Sequence, residues 1–395
     1  MPKTKIYLDN NATTPLHPRV RKKMINTMDV FGNPSSLHQF GREARSLIQN
    51  ARRDIADFIN ADPDEIIFAG SGSEANNTVL SMLTCPSKPC TIRSEQKPHV
   101  ITTEIEHPCI LETASCINQT AEVDYLGVDE LGKIDLKELK RKLKNNTILV
   151  SVMMANNEIG TIQEIKKITE IVKQHGSLMH TDAVQAVGKL PADVKDLDVD
   201  YLSMSAHKIY GPKGIGALYI KNGAPFCPFI RGGHQEKGRR AGTENTMGII
   251  GFGEAIRLRK EEMLSEEKRL KKLRQKLKTG LENNIKKIKF IGDQEDTLPN
   301  TLNVAFYGVE GESILLYLDN AGIAVSTGSA CSSGSTKPSH VISATGLEQE
   351  YIHGSIRISM GRNTTEEDID YTIETFTKVI QKLRSFTTFN NETEK

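Results

Sequence analysis

Apolar and polar residues along this chain follow two periods, one typical of short buried strands and one typical of amphipathic helices. Short apolar runs such as EIIFAG, TILVSVMMA and SLMHTD are bounded by Gly, Asn or Asp, as expected of strands buried in a sheet. Residues 165–175 and about 254–288 carry apolar side chains at helical spacing among Lys and Glu. This alternation predicts an α/β fold with a mostly parallel sheet between helices.

The C-terminal part has a different pattern. TLNVAFYG predicts a strand, SILLYLDNAG a helix, and IAVST a further strand that leads into a long loop of small residues. Together with the N-terminal segment, these elements predict a smaller α+β domain. We therefore expect two domains, a large one over residues 15–263 and a small one formed by residues 1–14 and 264–395.

The amino-acid composition argues against some classes of binding partner. The 395 residues carry 51 basic and 50 acidic side chains, a net charge of +1, which gives no electrostatic basis for binding nucleic acid or an anionic membrane. The start, MPKTKIYLDNN, lacks an apolar run, and no window approaches the roughly 18 apolar residues of a membrane span. We expect a cytoplasmic protein that acts on a small molecule.

Six cysteines are few for this length and lack the spacing of secreted disulfide-rich domains, which favours a reducing compartment. CPSKPC has no second cysteine pair at zinc-site spacing, so Cys85 and Cys90 are interpreted as loop thiols. No metal site is predicted.

One lysine stands out as a candidate nucleophile. In VDYLSMSAHKIYGPKGIGALYI, Lys208 lies in a loop between two predicted strands, beside Ser205 and His207. Desolvation between apolar strands lowers the pKa of a lysine, and the resulting free amine can form a Schiff base. The alternative is an ordinary solvated turn lysine, and the decision depends on whether other segments supply the groups that a pyridoxal 5'-phosphate (PLP) ring needs.

Two segments carry candidate groups for binding the phosphate of PLP and for stacking on the face of its ring. SGSEANN follows a strand and opens a helix, so its backbone N–H groups, including those of Gly72 and Ser73, form a candidate phosphate site. Plain N-capping explains the same residues equally well. His107 precedes Pro108 at the end of a predicted strand, where it can stack on a flat ring or serve a structural role.

Polar residues end two further predicted strands. Asn157 follows TILVSVMMA, and Asp182 and Gln185 follow SLMH. A carboxylate after a buried strand needs a cationic partner, and a protonated pyridine nitrogen qualifies as well as a nearby Arg, Lys or helix N-terminus. Ligands of open parallel sheets bind at this carboxyl edge, so we expect these side chains to meet there.

Three residues in the rest of the chain suggest substrate and anion contacts. Arg357 lies in a predicted strand of small and apolar residues, where a substrate carboxylate or an internal Asp or Glu would have to pair with it. Cys331 lies in a loop without bulky neighbours, as expected of an exposed, mobile thiol. Thr243 lies in the basic, glycine-rich loop RGGHQEKGRRAGTEN, which contacts an anion or is simply solvated.

In combination, HTDAVQ, SAHKIYGPKG and STGSACSS resemble the cysteine desulfurases of the Nif/Isc type, class-V members of the fold type I PLP enzymes, over nearly the whole chain. The resemblance implies that residues 15–263 bind PLP, that L-cysteine is the substrate, and that the protein is a homodimer passing sulfur to an acceptor such as an iron–sulfur scaffold. It also implies a role for each candidate around the cofactor ring: Lys208 as Schiff-base lysine, His107 stacked on the ring and serving acid–base steps, Asp182 at the pyridine nitrogen, Gln185 at the ring hydroxyl, and Asn157 at the ring and the substrate. The phosphate is expected to contact Gly72, Ser73, Ser205 and His207, together with Thr243 of the other subunit. Arg357 is expected to bind the substrate carboxylate, and Cys331 to become the persulfide cysteine.

Two alternatives share part of this pattern. A selenocysteine lyase or a class-V aminotransferase needs most of the same cofactor residues but not Cys331. A sulfur-carrier or assembly subunit without catalysis would not need Lys208, Asp182 and Arg357 together. Formation of alanine from cysteine separates the second alternative from a desulfurase.

Overall fold

The computed structural model describes residues 5–84, 97–327 and 338–386. Numbered in chain order, its strands are β1 (Ile6–Tyr7), β2 (Ile66–Ala69), β3 (His99–Thr103), β4 (Glu122–Leu126), β5 (Thr147–Ser151), β6 (Leu178–Asp182), β7 (Tyr201–Ser205), β8 (Gly216–Ile220), β9 (Ile288–Ile291), β10 (Thr301–Phe306), β11 (Ile323–Ala324), β12 (Ser326–Thr327) and β13 (Ser355–Ser359).

The α-helices alternate with the first strands and then frame the C-terminal ones. They are α1 (Pro18–Ile25), α2 (Gln39–Phe58), α3 (Gly72–Ser81), α4 (Pro108–Ile117), α5 (Leu136–Lys142), α6 (Ile165–His175), α7 (Val194–Leu197), α8 (Thr246–Asn284), α9 (Gly311–Asn320), α10 (His340–Ala344), α11 (Gln349–Ile352) and α12 (Glu366–Ser385).

The largest sheet has the strand order β2-β8-β7-β6-β5-β3-β4. The pairs from β7 through β6, β5 and β3 to β4 are parallel, whereas β8 runs antiparallel to both of its neighbours. Most of these strands are buried along their whole length, which explains their nearly continuous apolar sequences. The predicted α/β fold with a mostly parallel sheet between helices is confirmed.

One group of buried side chains packs against the large sheet, and a separate group packs against the four-stranded C-terminal sheet. One packs helices α2, α6 and the first half of α8 against the large sheet. The other joins Ile6 and Leu8 to the second half of α8, the sheet β12-β13-β10-β9 and helices α9 and α12. The domain boundary at residue 264 stays a prediction, and it falls inside the single helix α8.

Several predicted boundaries are wrong. Strand β3 ends at Thr103, four residues before His107, because Glu104 already pairs with Leu126 and the chain turns away from the sheet. Strand β5 ends at Ser151, so Asn157 belongs to the following loop. Helix α8 begins at Thr246, capped by Asn245, and ends at Asn284. Periodicity located these elements but could not fix ends that depend on capping and tertiary contacts.

Within the described ranges, none of the helices has both the length and the apolar character that crossing a lipid bilayer requires.

Candidate active site

A cavity of about 310 Å³ opens at the carboxyl edge of the large sheet, on the side where β5, β6 and β7 end. Its size and position are those expected of a ligand site in an open parallel sheet. The lining residues are Asn11, Ala12, Ser71, Gly72, Ser73, Asn76, His107, Cys109, Met153, Ala155, Asn157, Asp182, Val184, Gln185, Ser205, His207, Lys208 and Arg357.

The first turn of α3 forms one end of this cavity. Ser71 caps the helix by accepting a hydrogen bond from the Glu74 amide at 3.0 Å, and the amides of Gly72 and Ser73 belong to the same turn. Gly72 is required by packing, since a Cβ there would lie 2.6 Å from Val184 Cγ2. A ten-residue helix that begins with close-approaching backbone N–H groups is suited to bind an anion. Capping and phosphate binding are therefore compatible here.

Lys208 reaches the cavity from a short 3₁₀ turn that follows β7. Its Nζ donates to the carbonyl oxygens of Asn11 at 2.6 Å and Ala12 at 2.8 Å. The side chain is half-buried and therefore differs from a solvated turn lysine. Two backbone acceptors from the N-terminal segment fix the amine at the cavity wall.

Asp182, the last residue of β6, is buried and has amide rather than cationic partners. Asn76 Nδ2 donates to its Oδ2 at 2.7 Å, and the Val184 amide donates to its Oδ1 at 2.9 Å. Across residues 5–84, 97–327 and 338–386 no ion pair involves Asp182. The internal Arg or Lys considered from sequence is therefore not its partner in this part of the chain, and a cation in the cavity can fill that role.

His107 caps the N-terminus of α4 with extended backbone angles, as Pro108 requires. Its Nδ1 accepts from the Cys109 amide at 3.2 Å, which leaves the ring as a wall of the cavity. Burial lowers the pKa of His107, opposed by Asp182 and reinforced by Lys208. A neutral imidazole is therefore available to stack on a ring and to exchange a proton.

Arg357, in the middle of β13, is almost fully buried and meets an internal carboxylate. Its Nη2 lies 2.7 Å from Asp9 Oδ1, and its Nη1 donates to the Asn157 carbonyl at 3.2 Å. The Nε donor has no partner among the described residues. The internal acid considered from sequence is thus present, but it uses only part of the guanidinium, and Arg357 still lines the cavity.

The remaining cavity residues predicted from sequence also lie in its wall. Gln185 Nε2 donates to the Asn11 carbonyl at 2.9 Å, and His207 Nδ1 lies 3.1 Å from Thr13 Oγ1. Burial, followed by repulsion from Lys208, lowers the pKa of His207 to about 4, so this ring is neutral at physiological pH. Ser205 ends β7 and is buried.

Of the remaining predicted residues, one lies away from this cavity and one falls outside the described residues. Thr243 is exposed and does not line it, although the neighbouring Arg240 pairs with Glu74 in the first turn of α3 through an Nε–Oε1 distance of 2.9 Å. Cys331 lies outside the described residues, as do Cys85 and Cys90. Among the other cysteines, Cys109 and Cys116 are free thiols and Cys227 is disulfide-bonded.

Residues 6–372 match the family model for class-V aminotransferases, which is most of the chain. The chain belongs to this family. Its members are PLP-dependent enzymes, so the cofactor expected from sequence is the cofactor of the family.

Within this family, several proteins similar to this chain are named cysteine desulfurases or NifS-like proteins. The chain is 47% identical over 392 residues to a cysteine desulfurase IscS from Dictyoglomus turgidum, covering 99% of this chain and 98% of the relative. It is 44% identical to a cysteine desulfurase IscS from Methanosarcina thermophila, covering 96% and 93%. A solved NifS-like protein superimposes with a TM-score of 0.89 at 38% identity, covering 96% of this chain and all of that one.

The cavity fits PLP on three structural grounds. The N-terminus of α3 presents backbone N–H groups suited to a phosphate, and Gly72 adds no side chain to this turn. Asp182 has no ion-pair partner among the described residues and can face the pyridine nitrogen. Asn76 Oδ1 and Arg357 Nε are buried polar atoms without partners in the described part of the chain, and such atoms require a ligand or water.

Sequence reasoning did not assign site roles to Asn11, Asn76 or Asp9. Asn76 orients Asp182, Asn11 provides the carbonyl acceptor of Lys208, and Asp9 holds Arg357. The only sequence signal was local: polar side chains at otherwise small or apolar positions, one turn into α3 and just after β1. Their partners lie at least 106 residues away along the chain, so no local pattern reveals the pairing.

Proposed function

We propose that this protein is a PLP-dependent cysteine desulfurase that converts L-cysteine to L-alanine and passes the sulfur to acceptors for iron–sulfur cluster assembly or other thiolation. The supporting observation is a single cavity wall that combines a fixed lysine, an acid without an ion-pair partner, a helix N-terminus and a buried arginine. The similarity to proteins named cysteine desulfurase points to the same reaction.

In this proposal the residues around the cavity hold PLP at both ends. Gly72 and Ser73, with the Ser205 and His207 side chains, bind the phosphate, and Lys208 binds the aldehyde carbon covalently. Asp182 keeps the pyridine nitrogen protonated, while Gln185 donates to the ring hydroxyl oxygen and His107 covers one face. When bound, PLP supplies an electron sink that weakens bonds at the substrate's Cα and Cβ.

Lys208 and His107 move protons during the reaction. With PLP and L-cysteine bound, Lys208 Nζ would be a free amine placed to accept the proton from Cα of the substrate. The neutral His107 imidazole accepts and returns protons on the other side. Arg357, held by Asp9, and Asn157 orient the substrate carboxylate.

Cys331 is the proposed sulfur acceptor. Its thiolate attacks the sulfur of the bound cysteine, so that an S–S bond forms and the Cβ–S bond breaks. The electron pair of the broken bond stays with the organic fragment, which gains a proton at Cβ and leaves as alanine. The two sulfur atoms of the new S–S bond are each oxidised by one electron and Cβ is reduced by two, so no external oxidant is needed.

An absorbance spectrum of the purified protein, recorded before and after L-cysteine is added, tests the function. We expect a yellow protein, a spectral change on adding cysteine, and alanine and sulfide in equal amounts when a thiol reductant is present. A colourless protein that stays colourless with added PLP would show that the cofactor assignment is wrong.

The matched control is cysteamine, which keeps the thiol and amine of cysteine but lacks the carboxylate. Because Arg357 is proposed to bind that carboxylate bidentately, we expect turnover of cysteamine to be at least about 100-fold lower. Equal turnover of both compounds would contradict the role of Arg357.

We also propose a homodimer in which Thr243 binds the phosphate of the other subunit's cofactor. The N-terminal segment exposes large apolar side chains close together in sequence, including Met28 at 63%, Phe31 at 77% and Leu37 at 81%, as expected of a surface that a second copy covers. Light scattering should give twice the chain mass of 43.8 kDa. A monomer that still binds PLP would contradict the shared site.

The sulfur acceptor is proposed to be an iron–sulfur scaffold or another thiolation partner, and the site of action the cytoplasm. Transfer of labelled sulfur from the cysteine-treated protein to a purified scaffold tests the proposed acceptor. Cell fractionation tests the proposed location.

A further inference from the structure

A second lysine, Lys189, lies next to the proposed cofactor site and has no role in the mechanism above. It follows Gly188, whose φ of +78° turns the chain back toward Gln185; a Cβ at Gly188 would lie 2.7 Å from Ile209 Cγ2. Lys189 Nζ donates to Gln185 Oε1 at 2.8 Å. No carboxylate of the described residues lies within 4.0 Å of this ammonium group, although the side chain is partly buried.

The contacts of Gln185 leave its amide only one orientation. Lys189 Nζ lies beside the amide oxygen and can donate to it either as an ammonium group or as a neutral amine. A backbone carbonyl accepts and cannot donate, so the Asn11 oxygen, 2.9 Å away, must meet the amide nitrogen. The second N–H of Gln185 is then available on the cavity side. The same Asn11 oxygen accepts from Lys208, which links the two lysines through one amide and one carbonyl.

The charge around Lys189 is mostly positive. Loss of hydration lowers its pKa to about 7; Lys208, Arg357 and Arg259 add to this effect, and Glu266 opposes it. Lys189 and Lys208 both line a cavity of about 20 Å³, which also contacts Tyr210. A lysine in such surroundings costs stability that a Met or Leu would not, which points to a role for its charge or its N–H donors at the site.

We propose that Lys189 is a positioning residue that locks Gln185 with its amide N–H toward the cofactor's ring oxygen and, with its own charge, favours the deprotonated form of the bound cofactor. This inference rests on the proposed function. Without Lys189, only the Asn11 carbonyl still holds the amide, so the Gln185 side chain is less firmly oriented and the positive charge beside the ring oxygen is lost. N–H donors and nearby positive charge both stabilise an anion, so their loss raises the pH at which the cofactor is half-protonated.

Absorbance of the cofactor-loaded protein as a function of pH, without substrate, tests the proposal. We expect Lys189→Met to raise the midpoint of the colour change by about one pH unit and to speed cofactor release about tenfold. Lys189→Arg keeps the charge and a donor, and should stay within about 0.3 unit of the unmodified protein. Lys195→Met removes an exposed lysine of the neighbouring segment and serves as the control.

An unchanged midpoint in Lys189→Met, or equal shifts in the Met and Arg variants, would overturn the proposal. If Lys189→Met does not fold, Gln185→Leu takes its place, because it removes the other half of the same contact and must also raise the midpoint. A colourless unmodified protein would instead contradict the proposed function itself, so the two failures are distinguishable.

Discussion

Replacing Lys208 with Ala should lower alanine formation by about four orders of magnitude or more and leave PLP bound only reversibly. The reason is that the same Nζ is proposed to hold the cofactor and to accept the Cα proton, and no other amine in the part of the chain that the structure describes has these two backbone acceptors at the cavity wall. Dialysis followed by absorbance measures cofactor loss, and an alanine assay measures turnover.

Lys213→Ala is the matched control for this change. Lys213 belongs to the same loop sequence, SAHKIYGPKG, but is exposed and does not line the cavity. We expect its turnover to stay within about twofold of the unmodified protein, as is usual for surface substitutions. Full turnover by Lys208→Ala would mean that the reaction uses another amine.

The second large effect is expected for Cys331→Ala. Its cofactor spectrum should be unchanged, because the residues proposed to hold PLP lie at the edge of the large sheet, while sulfide release from cysteine should fall by about 1,000-fold. Without a thiolate to attack the substrate sulfur, the Cβ–S bond is not broken by this route. Sulfide and alanine assays, with labelled cysteine to detect protein-bound sulfur, measure the outcome.

This variant also separates the desulfurase from the related enzymes considered from sequence. A selenocysteine lyase or an aminotransferase does not need Cys331, so retention of full turnover would favour one of them. Cys116→Ala, which removes an exposed free thiol on α4, is the control and should retain both activity and labelled sulfur. If the labelled sulfur were found on Cys116 instead of Cys331, the proposed role of Cys331 as sulfur acceptor would be wrong.

Much of the fold was predictable because its signals are local. Helix α6 has the bounds that periodicity gave, and β6 ends at the predicted Asp182. The ends of β3 and β5 were placed too late, because apolar residues beyond them, Ile105 after β3 and residues 152–155 after β5, continue the apolar pattern in sequence although they lie outside the strands. Hydrophobic pattern determines which residues are buried, whereas the end of a strand depends on the neighbour with which it pairs.

For the site, the sequence alone determined which chemical groups are present and which segments carry them: the lysine after β7, the acid ending β6, the helix start after β2 and the arginine in β13. Only the tertiary structure decided which side chains orient them. It showed that Asn76 contacts Asp182, that Asp9 pairs with Arg357, and that Lys189 contacts Gln185. Orientation is set by hydrogen bonds and desolvation across segments that meet in space, and a local pattern carries no information about such distant partners.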